Sequence, residues 1–218
     1  MKKIQQILST SLILINLIPW GVRAETQNPP PQKPQESASI LQAVLSLFRA
    51  SERRMMTRGD EVCLVSPGNS GEQLISGDRL MFVWWGEILE STINLYQDDQ
   101  LVWTQTVLAN TQTIAYDGES LEPGATYDWE LVVNDKKYRQ TIVLLEQAAQ
   151  KAIARDLANL DSQLKSNKAT AEEKAIARAE YFLAQELSSD ALQQLYWVKN
   201  PSLNLIAQID DFENRLCK

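Results

Sequence analysis

The side chains on which most enzymes and metal sites depend are scarce in this sequence. It contains no histidine, which excludes Ser-His and Cys-His nucleophile pairs and every histidine-based zinc site. The two cysteines, Cys63 and Cys217, are too far apart to form a metal-binding motif. A Gly-x-Ser-x-Gly elbow and a glycine-rich phosphate-binding loop are also missing. We therefore predict a protein that is not an enzyme and that has no catalytic, metal or cofactor-binding residues.

One catalytic arrangement survives this exclusion, a pair of carboxylates such as glycoside hydrolases use. The acids nearest the predicted aromatic strands are Glu87, Glu90, Asp128 and Glu130. Acids at strand edges ordinarily face solvent, and sequence gives neither their separation nor their environments. A carboxylate-based glycoside hydrolase therefore ranks below the non-catalytic interpretations.

The first 24 residues have the pattern of a secretory signal peptide. Lys2 and Lys3 form a basic start, Ile7 to Ile18 is a short apolar run, and Val22-Arg23-Ala24 has a small-x-small cleavage pattern. An uncleaved membrane anchor is the alternative, but the run is shorter than the ~20 residues that span a bilayer. We expect cleavage near Ala24 and a periplasmic or secreted protein that is not an integral membrane protein.

An oxidising compartment allows Cys63 and Cys217 to pair. Such a bridge would tie the C-terminal part of the chain to the first predicted strand. The alternative is two separate buried thiols.

The charge balance is acidic, with a formal net charge of −7 at pH 7. Signal cleavage would remove three basic residues and no acid, which makes the remaining chain more acidic. This argues against nucleic acid as a partner, because phosphate recognition requires clustered Lys and Arg. The charge is locally reversed near Arg53 and Arg54, which are therefore interaction candidates for an acidic partner or a membrane surface. The alternative is an amphipathic helix whose arginines pair with the chain's own carboxylates.

Changes in composition divide the rest of the chain into four parts. Residues 25–37 are rich in Pro and Gln and predict a linker, and residues 38–57 predict an amphipathic helix with a basic end. Residues 58–145 carry short β-branched and aromatic runs separated by turn residues, and residues 146–218 have a helical period. The predicted strands are Val62–Ser66, Arg79–Trp85, Thr92–Gln97, Leu101–Val107, Thr113–Tyr116, Thr126–Val133 and Lys137–Leu144.

Seven strands at this spacing predict an antiparallel β-sandwich of the immunoglobulin or fibronectin-III type. Asp98-Asp99 and Asn134-Asp135 are expected to be hairpin turns. The segment Leu121–Gly124, followed by Tyr127 and Trp129, resembles the turn and strand that open the penultimate hairpin of fibronectin-III domains.

The run Arg79–Trp85 is apolar at every position from Leu80 to Trp85, which predicts a strand covered on both faces. Either the helical segments pack on its outer face or Trp85 is an exposed binding platform. We favour packing, because the apolar helices need a surface to cover.

The C-terminal part predicts a bundle of about four helices, which makes the whole chain α+β. Thr170 and Glu173 have the spacing of a capping box. A third helix is expected to start at Ser188 or Ser189, and a fourth to have Asn200 as cap and Pro201 at its first position. Ala179, Phe182, Ala191, Leu195 and Pro201 are similar to one tetratricopeptide repeat. No second copy follows at the 34-residue period, so we interpret the segment as a helical hairpin.

Several short motifs together resemble those of uncharacterised exported proteins of cyanobacteria. These motifs are Cys63–Gly68, Trp84–Gly86, the Leu-x-Pro-Gly turn, Ser189–Gln193 and Lys199–Ser202. The resemblance covers residues 58 to 217 and implies a fold and a location outside the cytoplasm, but no catalytic residue.

Two functions from different classes remain. The first is a non-catalytic protein-interaction or scaffold protein of the cell envelope that binds another exported protein. The alternative is a carbohydrate-binding module in which exposed aromatic residues such as Trp85, Tyr96 or Trp103 stack on the sugar rings of a polysaccharide.

Overall fold

The structure is a computed structural model that describes residues 41–43, 62–68, 72–77 and 79–217. The predicted signal peptide and linker lie outside the described residues, as do Arg53, Arg54 and most of the predicted helix 38–57. Of that helix, residues 41–43 are described and helical, and Leu41 is buried. None of the described helices is long and apolar enough to cross a membrane.

Eight strands precede four helices in the described chain from residue 62 onward. The strands are β1 (Cys63–Ser66), β2 (Gln73–Ile75), β3 (Met81–Trp85), β4 (Ser91–Gln97), β5 (Gln100–Val107), β6 (Thr113–Ala115), β7 (Thr126–Val133) and β8 (Lys136–Leu144). The helices are α1 (Gln147–Ser166), α2 (Ala171–Ala184), α3 (Ser188–Tyr196) and α4 (Leu203–Cys217). A β domain followed by helices confirms the α+β expectation.

The strands form two sheets. One has three antiparallel strands in the order β1-β3-β6, and the other has five strands in the order β2-β8-β7-β4-β5. The seven predicted strands are all present, but the expectation of a purely antiparallel sheet is wrong, because β2 pairs in parallel with β8. This extra strand was not predicted, since three residues are too few to show a period.

Two predicted hairpins are confirmed by the backbone of their turns. Asp98 and Asp99 join β4 to β5, and Asn134 and Asp135 join β7 to β8, all four with φ between 49° and 63°. Positive φ at both central residues defines the type I′ turn, whose twist matches that of the flanking strands. Asp and Asn tolerate this conformation better than most other residues, which explains why these dipeptides fix the register.

Strand β3 is buried on both faces, as its sequence predicts. Phe82 and Trp84 belong to a core to which both sheets contribute. Met81 and Val83 belong to a second core, which they share with Phe182 and other residues of α2, α3 and α4. The helices therefore pack on the outer face of the three-stranded sheet, and the packing interpretation of this strand is confirmed.

The helix ends follow local hydrogen bonding. At α2 the Thr170 hydroxyl accepts from the Glu173 amide at 3.2 Å, and the Glu173 carboxylate accepts from the Thr170 amide at 2.7 Å, which confirms the capping box.

The predicted start of the last helix is wrong by two residues. Ser202 precedes α4 and accepts from the Leu205 amide, and both its amide and its hydroxyl donate to Glu172 of α2 at 2.8 Å.

Cys63 and Cys217 form a disulfide bond, as one of the two sequence interpretations expected. Both residues are buried in the core shared with the helices. The bond joins β1 to the last turn of α4 across 154 residues. It therefore holds the final helix covalently on the sheet that the helices cover.

We expect a Cys63→Ala/Cys217→Ala variant to lose about 2–5 kcal/mol of unfolding free energy, because the bridge restricts a long loop in the unfolded chain. Urea denaturation of the oxidised wild type and the variant measures the loss. Reduced wild type is the control, since it lacks the cross-link but retains both sulfur atoms in the core. Equal urea midpoints for oxidised and reduced wild type would contradict the prediction.

Candidate functional site

A groove runs along the helical part of the molecule between α1, α2 and α3 and is closed at one end by the residues after β2. It has two adjoining cavities, which share Asp161, Arg178, Gln194 and Trp197 as lining. The outer cavity has a volume of about 640 Å³ and extends to Lys199 and Asn200. The inner cavity has a volume of about 360 Å³ and extends to Ser76, Arg79 and Asp190.

An ion pair fixes the two helices that form the walls of the groove. Arg178 of α2 donates from Nε to Asp161 Oδ1 of α1 at 2.9 Å, and its Nη2 donates to Asp161 Oδ2. This two-bond geometry is the strong form of a guanidinium–carboxylate pair. Helix α1 has no fully buried residue, so this pair, together with half-buried apolar contacts, sets its position.

Asp190 in the first turn of α3 attaches the helices to the strand region at the inner end of the groove. Its two carboxylate oxygens accept from the Ser76 amide at 3.2 and 3.0 Å, and the Ser76 hydroxyl also donates to it. Asp190 is buried. Burial raises the pKa of its carboxyl to about 6, against the opposing effect of the hydrogen bonds from Ser76.

Gln193, one turn after Asp190, carries a buried polar group without a partner. Its side chain is 2% exposed and lines the inner cavity. The Nε2 group has no hydrogen-bond acceptor among the described residues. The neighbouring Gln194 is satisfied, since its Nε2 donates to the Asp190 carbonyl at 3.4 Å. Leaving a buried donor unpaired is costly, so Gln193 marks a position where a bound acceptor would be favoured.

The outer cavity is positively charged although the chain as a whole is acidic. Its lining contains Lys165 of α1, Lys174 and Arg178 of α2, and Lys199 after α3, against the single acid Asp161. In the described part of the chain, the side-chain ammonium groups of these three lysines make no ion pair or hydrogen bond with a protein group. In the inner cavity the charges are balanced, with Arg79 and Arg178 against Asp161 and Asp190.

The aromatic residues proposed for sugar stacking are partly covered. Trp85 is half-buried and packs against the helical core. Trp103 is half-buried, stacks on Phe82 at a centroid distance of 5.6 Å, and donates to Asp117 at 2.9 Å. Tyr96 is half-buried, and the Arg139 guanidinium lies 5.1 Å from its ring centroid.

The acids considered for catalysis do not line the groove. Glu87 and Glu90 are exposed in the connection between β3 and β4. Asp128 accepts from Thr141 at 2.5 Å. Glu130 is buried and pairs with Lys137 at 3.3 Å and Arg139 at 3.8 Å. Among the residues that the structure covers, no group of three or more His, Cys, Asp or Glu side chains could hold a metal ion.

No local sequence pattern predicts the groove. Its charged residues come from three helices and from the connection after β2, and no short motif links them. The one available signal was the four-residue spacing of Lys174 and Arg178, which places both on one face of α2. In the structure Arg178 forms an ion pair with Asp161 of α1.

No known protein family matches the sequence, and no curated protein matches it. Two solved structures show a weak likeness. One is an α-L-rhamnosidase from Dictyoglumus thermophilum, 15% identical, over 43% of this chain and 13% of that chain, with a TM-score of 0.31. The other is an extracellular fragment of EsaA from Streptococcus gallolyticus, 13% identical, over 82% of this chain and 56% of that chain, with a TM-score of 0.18. The chain thus spans less than two thirds of either structure, and neither likeness carries an argument.

The buried carboxyl of Asp190 predicts an unusual pH dependence of stability. Its pKa rises from 3.8 to about 6 on folding, so the folded state binds more protons than the unfolded state between these pH values. Below pH 4 the carboxyl is protonated in both states and does not lower the free energy of unfolding. As the pH rises through 6, the buried carboxyl becomes charged, and the free energy of unfolding falls by roughly 3 kcal/mol in total.

Asp190→Asn should remove this loss, because an amide has no charge to bury and keeps an acceptor for Ser76. Urea titrations at pH 4 and pH 7 should show the variant gaining stability relative to wild type at the higher pH. Burial also raises the pKa of Glu213, so Glu213→Gln is the matched control for a buried acid outside the groove. An equal difference between Asp190→Asn and wild type at both pH values would contradict the assignment to Asp190.

Proposed function

We propose that this protein is a non-catalytic interaction or scaffold protein that acts outside the cytoplasm, and that its groove binds an extended acidic segment of another exported protein. The observation that carries the proposal is the reversal of charge at the outer cavity. Four basic side chains line it with one acid, in a chain whose net charge is −7. Complementary potentials of this kind select partners and accelerate their association.

The shape of the groove supports a polypeptide as ligand. Its two adjoining cavities lie along packed helices and differ in character, since the outer one is cationic and the inner one is balanced in charge and partly apolar. A ligand that fills both must be elongated and must carry acidic groups at one end only. A segment of peptide has this form, because successive side chains can differ in charge.

We infer further that the two sheets form an immunoglobulin-like sandwich that serves as the scaffold for the helices. The strand orders β1-β3-β6 and β2-β8-β7-β4-β5 support this, as does the core that both sheets share. One sheet then carries the helices on its outer face, and the groove lies within that helical layer.

The location outside the cytoplasm is supported by two features of different kinds. Residues 1–24 have the composition of a secretory signal peptide. The disulfide between Cys63 and Cys217 belongs to the kind of bond that persists in oxidising compartments and is rare in the cytosol. The resemblance to exported cyanobacterial proteins is part of the same proposal.

A carbohydrate-binding module receives less support. Every aromatic side chain in the described part of the chain is buried or half-buried, whereas sugar stacking needs an open aromatic face. The large apolar side chains that are exposed there are aliphatic, and they include Leu89, Leu108 and Leu203.

Charge reversal in the outer cavity tests the proposed function. We expect Lys165→Glu and Lys174→Glu each to weaken binding of a fluorescein-labelled acidic peptide about threefold to tenfold at low salt. Fluorescence anisotropy with purified protein, its disulfide intact, gives the dissociation constants. Raising the salt concentration should weaken wild-type binding and reduce the difference between variants.

Lys151→Glu is the matched control, because it makes the same change on the same helix about 21 Å along its axis from Lys165. Lys151 is exposed and does not line the groove. If Lys151→Glu weakens binding as much as Lys165→Glu, or if a basic peptide binds as well as the acidic one, the proposed function is wrong. Retention on polysaccharide without peptide binding would favour the carbohydrate alternative.

A further inference from the structure

The inner cavity contains a hydrogen-bond donor that no described protein group satisfies. Gln193 lines this cavity, and its buried Nε2 has no acceptor among the described residues. A ligand atom that accepts a hydrogen bond at this position would remove the cost of the unpaired donor. The first requirement on the ligand is therefore an acceptor oxygen.

The charged groups of the inner cavity select against a charged ligand. Arg178 is neutralised by Asp161 through two hydrogen bonds, and Asp190 holds Ser76. A carboxylate entering beside Asp190 would meet a like charge, and an ammonium group would meet the guanidinium of Arg79. Like charges placed together at an interface are strongly unfavourable. The second requirement is therefore a neutral group.

The remaining lining favours a group on an apolar stem. Leu157 of α1, Phe182 of α2 and Trp197 after α3 form apolar walls. The volume of about 360 Å³ lies in the usual range of small-ligand pockets. A neutral acceptor carried on a short aliphatic side chain meets all of these conditions.

We infer that the inner cavity receives the carboxamide of an asparagine or glutamine residue carried by the acidic segment that binds in the outer cavity. The carboxamide oxygen accepts from Gln193 Nε2, and the carboxamide NH₂ donates to a free lone pair on the carboxylate of Asp190. This inference rests on the proposed function. It adds which side chain of the bound segment the same groove selects. The recognised element is then one amide residue beside a run of acids.

Four acidic peptides that differ at one central position, with Gln, Leu, Glu or Lys there, test this selectivity by anisotropy. We expect wild type to bind the Gln peptide at least about fivefold more tightly than the Leu peptide, because the neutral hydrogen bond from Gln193 alone gives about this factor and the bond to Asp190 adds to it. The Glu and Lys peptides should bind more weakly than the Gln peptide.

Gln193→Leu should reduce the preference for Gln over Leu by about fivefold, because only the bond to Asp190 remains, while leaving the effect of Lys165→Glu unchanged. Gln208→Leu is the matched control, because Gln208 in α4 also has a buried amide atom without a partner in the described chain and does not line the groove. Should Gln193→Leu fail to fold, the side-chain NH₂ signals of Gln193 in ¹⁵N-labelled wild type give a second readout, since the Gln peptide should shift them and the Leu peptide should not.

The outcomes separate the inference from the proposed function. Equal affinities for the Gln, Leu and Glu peptides, with Lys165→Glu still weakening all of them, would overturn the inference alone. The same holds if Gln193→Leu keeps the wild-type preference. Failure of every acidic peptide to bind would overturn the proposed function and the inference with it.

Discussion

The outer face of the three-stranded sheet is the surface on which the rest of this molecule depends. Strands β1 and β3 supply side chains to two cores at once, because alternate residues point to opposite faces of the sheet and both sets are apolar. Without the helices, Val65, Met81 and Val83 would be exposed to water. The β domain and the helices therefore form one stability unit, because β1 and β3 belong to the cores of both.

Much of this arrangement is readable in the sequence. The continuous apolar run in β3 predicted burial on both faces, and the dipeptides at Asp98 and Asn134 predicted the hairpins, because in both cases a local pattern determines the structure. The parallel strand β2 could not be predicted, since its three residues take their conformation from pairing with β8. The start of α4 was misplaced for a similar reason, because Glu172 of a different helix binds Ser202.

The groove could not be predicted from the sequence, because its properties arise from side chains that come into contact only after folding. Asp161 and Arg178 belong to different helices, and nothing in either helix alone indicates their ion pair. Asp190 has the sequence context of an ordinary first-turn acid, yet it is buried against Ser76. Burying a carboxyl is expensive unless its oxygens are satisfied. The contact with Ser76 thus specifies where the helices pack on the strand region. Burying the Asp190 carboxyl costs stability, and apolar packing elsewhere offsets this cost.

The separation of the two cysteines has a consequence for the order in which the chain is made. A polypeptide grows from its N-terminus, so Cys63 emerges 154 residues before its partner. During that interval α4 is not yet available to pair with the Cys63 thiol or to cover the apolar surface around it. Other thiols and other apolar surfaces can then bind there instead. Such a nascent chain would benefit from a holding chaperone and a thiol oxidant that acts late. The disulfide bond can therefore form only after α4 has been synthesised.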